Sequence, residues 1–251
     1  MRPITQIALI GIGAAIVCLP LAATLHDWDS SSETRSSSRE RGGSDWWSWS
    51  DDWDGFGADN SALVTRPFTW SGDDSLQLDV PAEVHFHPAA AWSLSIHGHS
   101  DTLDRLRVEQ GRIRLRPRFY RRIEGLQIEL SGPALRQVKL NGSGKIRLDG
   151  IQQDKLQLEI RGSADADASG SVGALKIRIA GSGNARLTPL QVKSAEVSIA
   201  GSGDADINCS DSVQVFIAGS GNVRLHSHPR QLHSRIAGSG EIIEVSDGQT
   251  T

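Results

Sequence analysis

The sequence predicts an all-β fold: a single-stranded parallel β-helix, or solenoid, with coils of about 19 residues, led in by short strands. Three observations predict it. Gly-Ser-Gly recurs with its first glycine at Gly142, Gly181, Gly201, Gly219 and Gly238, and as Gly-Ser-Ala at Gly162, in steps of 20, 19, 20, 18 and 19 residues. A short period sustained over six copies marks a stacked repeat, because one unit is too small to bury a core and must share it with its neighbours. Apolar residues alternate on both sides of each corner. No segment beyond the N-terminal apolar run carries a sustained helical stripe, so essentially no helix is expected there.

Residues 1–25 form a signal peptide or an N-terminal membrane anchor. Ile4 to Leu25 carry no charge and follow Arg2. Either reading puts the body outside the cytoplasm if Arg2 stays inside. Cys18 lacks the small residues of a lipoprotein cleavage box. Residues 26–60 are rich in Ser, Asp, Gly, Arg and Trp and read as a disordered tether. Five of the seven tryptophans precede residue 54, four of them in Asp45–Trp53. Trp46, Trp47, Trp49 and Trp53 are candidate contacts whose indoles stack on sugars, sit at a lipid interface or dock a partner. The plainer reading is a spacer, and the interspersed Asp residues argue against an anionic membrane surface.

The solenoid domain spans 61–246. Its leading strands are expected at Ser75–Val80, Val84–His87, Trp92–His97, Leu103–Glu109, Arg112–Arg116 and Gly125–Leu130. In the repeats, Leu140, Ile160, Ile179, Ile199, Ile217 and Ile236 stand two residues before each first glycine. Val138, Leu158, Ile177, Val197 and Val215 stand four before it, and only Ser234 breaks that column. Period-two apolar placement with β-branched residues makes a strand with one buried face. After the corner, Ile146 and Leu148, Ala185 and Leu187, Ala205 and Ile207, and Val223 and Leu225 resume the pattern. Between them, outward positions read Arg147, Asp167, Arg186, Asp206 and Arg224, a sign alternation that becomes a vertical charge ladder if the coils stack in register. Residues 247–251 are a polar tail, and 246–251 are short for a cap on an open solenoid end. Cys209 reads as a small buried filler.

The iterated cores Ile179-Ala180-Gly181-Ser182-Gly183-Asn184-Ala185, Ile199-Ala200-Gly201-Ser202-Gly203-Asp204-Ala205-Asp206 and Ile217-Ala218-Gly219-Ser220-Gly221-Asn222-Val223 carry a resemblance. With the upstream Trp92–Ile96, Leu103, Leu106–Glu109 and Ile113–Leu115, the block from about Leu76 to Glu244 resembles the head GIN domain family of bacterial adhesin-like proteins. That resemblance implies a right-handed β-helix of the pectin-lyase-like kind, exported and cell-associated, and points toward adhesion or recognition. It supplies no catalytic residues.

The residues themselves argue against an enzyme. A polysaccharide-cleaving β-helix needs carboxylates or a base clustered in a groove, whereas Asp165, Asp167, Asp204 and Asp206 recur at equivalent places beside the corners. Calcium-binding β-rolls need a nine-residue period with an Asp in every copy, and Arg147, Arg186 and Arg224 occupy the matching place here. Nothing calls for a cofactor. His85, His87, His97 and His99 are a candidate metal set for Zn²⁺, Cu²⁺ or Ni²⁺, if a tight connection at 88–91 pairs their strands as a hairpin; four polar residues on a solvated face is the plainer reading. Arg112, Arg114, Arg116 and Arg118, with Arg105, Arg107, Arg121 and Arg122, form a candidate anion-binding face or a charged edge that resists aggregation. The net charge of −4 gives no case for nucleic acid. The expected partner is an envelope glycan or another envelope protein, with the membrane reached through residues 1–25 if uncleaved. The alternatives are a polysaccharide-modifying enzyme and an accessory or sensor of an envelope-stress pathway.

Overall fold

A computed structural model describes residues 62–116 and 125–245. The chain divides into a unit ending at Phe56 and one running from Gly57 to Thr251. All described residues belong to the second. The tether, its tryptophans and the N-terminal apolar run lie outside them, and among the described residues no helix is long and apolar enough to cross a membrane.

The described unit is the expected solenoid. Its leading elements are β1 (Leu63–Phe68), β2 (Ser75–Leu78), β3 (Glu83–Pro88), β4 (Ser93–His99), α1 (Ser100–Arg105), β5 (Leu106–Glu109), β6 (Arg112–Leu115) and β7 (Gln127–Gly132). The coils follow as β8 (Gln137–Gly142), β9 (Lys145–Gly162), β10 (Asp165–Gly181), β11 (Asn184–Gly201), β12 (Ala205–Gly219), β13 (Val223–Leu225), β14 (Gln231–Gly238) and β15 (Ile242–Glu244). Each long strand starts just after one Gly-Ser-Gly or Gly-Ser-Ala corner, bends through a return, and ends at the next. The stack therefore has a face before the corners and a face after them. Register holds on the approach to the corners, where Ile177, Val197 and Val215 pair in file, as do Gly181, Gly201 and Gly219, and it shifts in the returns, between Asp167 and Gly170 and between Leu187 and Gln191.

The corner column shows why glycine is required. Gly162, Gly181, Gly201, Gly219 and Gly238 have φ between 111° and 136°. A Cβ on Gly201 would lie 2.2 Å from the carbonyl oxygen of Gly181. That oxygen instead accepts the N–H of Ser202 at 2.9 Å. The same bond joins Ser182 to Gly162 and Ser220 to Gly201. Inside, the alternating aliphatic residues form one continuous core, with Ile146, Ile160, Ile177, Ile199 and Ile217 excluded from solvent.

Two features mark the base. First, stacking order is not chain order. The β2–β3 coil sits between β6–β7 below and β8–β9 above, because β2 pairs with both β6 and β8, and β3 with both β7 and β9. Second, Ser100–Arg105 is helical, where the sequence reading expected strand from Leu103 and no helix. A six-residue helix rises about 9 Å, close to the ~10 Å between packed sheet faces. It spans the base from β4, on the post-corner face, to β5, on the pre-corner face, with Leu103 buried beneath it. Its Asp101 carboxylate accepts the N–H of Thr102 at 2.9 Å. The antiparallel strands β4 and β1 close the post-corner face, and antiparallel β5 closes the other.

Candidate functional site

The post-corner face carries the charge ladder. Asp167 pairs in register with Arg186, Arg186 with Asp206, and Asp206 with Arg224. Lys145 meets Asp167 at 2.9 Å, Arg186 meets Asp165 and Asp167 at 3.5 Å each, and Arg224 meets Asp206 at 3.4 Å. A second ladder runs beside the corners, where each side-chain oxygen accepts the backbone N–H of the next coil: Asn184 from Asp204 at 3.3 Å, Asp204 from Asn222 at 2.8 Å, Asn222 from Glu241 at 3.1 Å. Asp165, Asp167, Asp204 and Asp206 thus all make ion pairs or hydrogen bonds between adjacent coils.

The pre-corner face is different. Its outward side chains form vertical files. One file reads Gln137, Gln157, Lys176, Glu196, Gln214 and His233. The neighbouring file falls to small side chains at Ala174, Ser194 and Ser212. Long side chains beside short ones make a furrow across the coils, about 520 Å³ in volume, reaching down to Asp74, Arg136 and Lys155. It continues past Glu196 and Gln214 into a hollow of about 530 Å³ lined by Phe216, His233 and Arg235. Lys176 donates to both oxygens of Glu196 at 2.6 Å, and Arg136 to Asp74 at 3.1 Å. With Lys155 and Arg235, four cations face two carboxylates along this strip, on a chain whose net charge is negative. Phe216 points outward and is 43% exposed, between Ser198 and Arg235. Nothing in the core asks for an aromatic ring there.

The arginine cluster lies at the closed end of this same face. Arg107 stands opposite Arg114 across β5 and β6, and Glu109 opposite Arg112. Arg114 donates to Glu109 at 3.1 Å, and Arg112 is held by Asp79. Asp79 is a hub that also accepts from Asn141 at 2.6 Å and Gln77 at 3.2 Å. Burial pushes its carboxyl up, but the hydrogen bonds from Asn141, Gln77 and Arg112, with the Arg112 charge, outweigh burial and hold it below the usual carboxylate range. Two members of the predicted cationic face are therefore partly neutralised. Arg116 is exposed at the end of β6, and Arg118, Arg121 and Arg122 lie outside the described residues.

The histidines are not brought together. β3 and β4 do not form a hairpin, because β7 lies between them and pairs with each. His85 and His87 are thus two strand spacings, about 10 Å, from the file of His97 and His99. His85 meets Glu83 at 3.2 Å, and His97 shares a hydrogen bond with Thr65 at 2.9 Å. Among the described residues no group of three or more His, Cys, Asp or Glu is placed to hold a metal. The sequence reading missed the furrow, although it has a signal: Ala174, Ser194 and Ser212 each stand seven residues before a corner glycine.

The profile of a family described as "putative auto-transporter adhesin, head GIN domain" matches residues 74–229, and the chain belongs to this family. No curated protein matches the chain. Among solved structures, a putative adhesin from Bacteroides fragilis NCTC 9343 is 17% identical, with a TM-score of 0.56 over 73% of this chain and 97% of that one. A putative lipid binding protein from Parabacteroides distasonis ATCC 8503 is 21% identical, with a TM-score of 0.47 over 74% and 98%. A putative adhesin from Parabacteroides merdae ATCC 43184 is 16% identical, with a TM-score of 0.47 over 74% and 98%. The Bacteroides fragilis structure shares the fold.

Proposed function

We propose that this chain is an exported, non-enzymatic binding module of the cell envelope, which lays an envelope glycan along the furrow of its pre-corner face. The observation that carries this reading is the furrow's composition. Gln137, Gln157 and Gln214 offer amides that both donate to and accept from sugar hydroxyls. Lys155 and Arg235 suit carboxylate or phosphate substituents, and the exposed Phe216 ring supplies an apolar platform. An open strip with regularly spaced polar groups suits an extended polymer better than a small molecule, which binds in an enclosed apolar pocket. The basic end at Arg112, Arg114 and Arg116 extends the strip for an acidic polymer. Trp46, Trp47, Trp49 and Trp53, outside the described residues, stay candidate sugar contacts in their own right.

The test is co-sedimentation of the full chain, in mild detergent, with isolated envelope glycan, scored for bound protein and released sugar together. Binding without release is expected, weakened several-fold by Phe216→Ala combined with Arg235→Ala. Changing Arg112, Arg114 and Arg116 to Ser should lower binding to acidic glycan and flatten its dependence on salt. Sugar release would replace the binding reading with an enzymatic one. Neither binding nor release would move the assignment to a protein ligand and a sensing role.

A further inference from the structure

A second outward file on the pre-corner face lies closer to the corners than the furrow. It reads Lys139, Glu159, Arg178, Ser198, Phe216 and Arg235, one residue per coil. Its one carboxylate is already taken, because Arg161 donates to Glu159 at 2.5 Å. Glu196, the acid of the adjoining file, is held by Lys176 through both oxygens. Among the described residues Lys139, Arg178 and Arg235 make no ion pair. The post-corner face is built differently, since there cation and acid alternate and meet, as Lys145 with Asp167 and Arg224 with Asp206. Stacking accounts for an alternation of charge. It does not account for a surplus of cations on one face of a chain whose net charge is negative.

Ser198 leaves a gap in this file between Arg178 and Phe216. The gap opens into the hollow of about 530 Å³, with Glu196, Gln214 and His233 along one side and Ser198, Phe216 and Arg235 along the other. Phe216 and Arg235 stand one rung apart, about 4.8 Å, and Arg178 stands two rungs below Phe216, about 10 Å. We infer that this hollow is a subsite for a uronic acid residue, so that the polymer bound by this face is an acidic polysaccharide whose charge is carboxylate. The inference rests on the glycan reading and gives its ligand a chemical class.

The spacing favours a uronate. A pyranose offers a face of C–H groups that packs on an aromatic ring. In a hexuronate the carboxylate is bonded directly to the sugar ring, so one residue presents an apolar face and a charge within a single rung. With its ring on Phe216, the carboxylate falls to the guanidinium of Arg235, whose planar fork takes both oxygens. The Gln214 amide reaches the hydroxyls on the facing edge. Arg178, two rungs below Phe216, meets the carboxylate of a neighbouring sugar. A phosphate or sulfate ester carries its charge one oxygen further from the ring and on a tetrahedral group, which fits this one-rung step less well. A neutral glycan makes no use of the cations.

The test measures binding of the full chain, in mild detergent, to immobilised alginate and polygalacturonate, two defined polyuronates. Each is also offered carboxyl-reduced, which turns its carboxylates into primary alcohols and keeps the sugar chain. Binding to at least one polyuronate is expected, falling about tenfold or more on carboxyl reduction and with Arg235→Gln, the size of one charge-assisted contact. Ser198→Leu leaves the charge untouched and fills the gap, so a built subsite loses affinity while plain adsorption of a polyanion does not. Lys193→Gln removes a cation from the return side and should change little; circular dichroism checks that each variant keeps the fold. Equal binding to the carboxyl-reduced polymer overturns the inference. So does binding to dextran sulfate of matched charge density as tight as to the polyuronate, a Ser198→Leu variant that binds like the wild type, or no binding to either polyuronate. Sedimentation with envelope glycan then tells the two readings apart: a chain still carried down keeps the glycan reading and loses only the uronate subsite, and a chain left in solution loses both.

Discussion

At the scale of single residues, the corner glycines separate two costs that usually come together. Gly142 has φ of 99° but nothing within 4 Å of an added Cβ, so Gly142→Ala meets only backbone strain, about 1–2 kcal/mol. Gly201 combines φ of 134° with a Cβ position 2.2 Å from the Gly181 oxygen. Gly201→Ala must also push adjacent coils apart and should cost about 3 kcal/mol or more. Thermal melts of the two variants side by side would show the difference, and equal shifts would rule out the steric component. Cys209 is fully buried, its thiol aimed at the carbonyl oxygens of Lys193 and Ser212 at 3.2 and 3.3 Å. Burial pushes the thiol up, so an alkylating reagent should spare it in the native protein and label it only on unfolding, read peptide by peptide. Asp79 gives the pH dependence. Its folded pKa is held down, so its stabilisation is complete above the unfolded carboxylate value, near 4, and is lost as pH falls through the lower folded value. Asp79→Asn should destabilise by about 1–2 kcal/mol at pH 7. The wild type should converge on the variant as acid is added, and a constant gap down to pH 2 would contradict that account.

At the scale of elements, the post-corner ladder sets register more than it adds stability. Each pair is partly exposed and contributes about 0–1 kcal/mol, but slipping a coil by one repeat would set Asp167 beside Asp206 and Arg186 beside Arg224. Arg186→Glu places a third carboxylate between Asp167 and Asp206 and should cost about 1–2 kcal/mol at low salt, with much of the loss recovered at 1 M salt, where screening is short-ranged. Denaturant midpoints at the two salt concentrations measure it. This ladder was legible in the sequence because every repeated coil meets the same neighbours above and below, so one residue pattern reports one contact. The base was not legible for the opposite reason. Nothing local in Leu76 or Val84 announces that β2–β3 will be held between β6–β7 and β8–β9, since that order is set by pairings between segments far apart in the chain. The hairpin expected of the histidine strands failed on the same point: β7 enters between them from about 40 residues beyond β3 along the chain. The furrow lies between these cases, since its small residues repeat but an apolar-polar reading gives Ala and Ser no weight.

At the scale of the whole molecule, a stacked repeat is stabilised mainly by contacts between adjacent coils, so its local stability follows the number of neighbours. β9, β10 and β11 each have a coil on both sides, and the base is closed by strands and α1. Among the described residues β14 and β15 have one neighbour each and bury little. Native hydrogen exchange should therefore be graded. Amides of Leu158, Ile177 and Val197 should exchange only near the global unfolding limit, and those of Leu232 and Ile236 fastest among the strand residues. A contact added to the outer edge of β14 would change this in a diagnostic way. If a second copy supplies it, protection of β14 rises with protein concentration while β10 stays constant, because only the final coil gains a neighbour. If another segment of the same chain supplied it, β14 would be protected even in dilute solution and insensitive to concentration. Exchange measured at a low and a high concentration thus reads the gradient along the rod and the nature of whatever covers its end from the same amides.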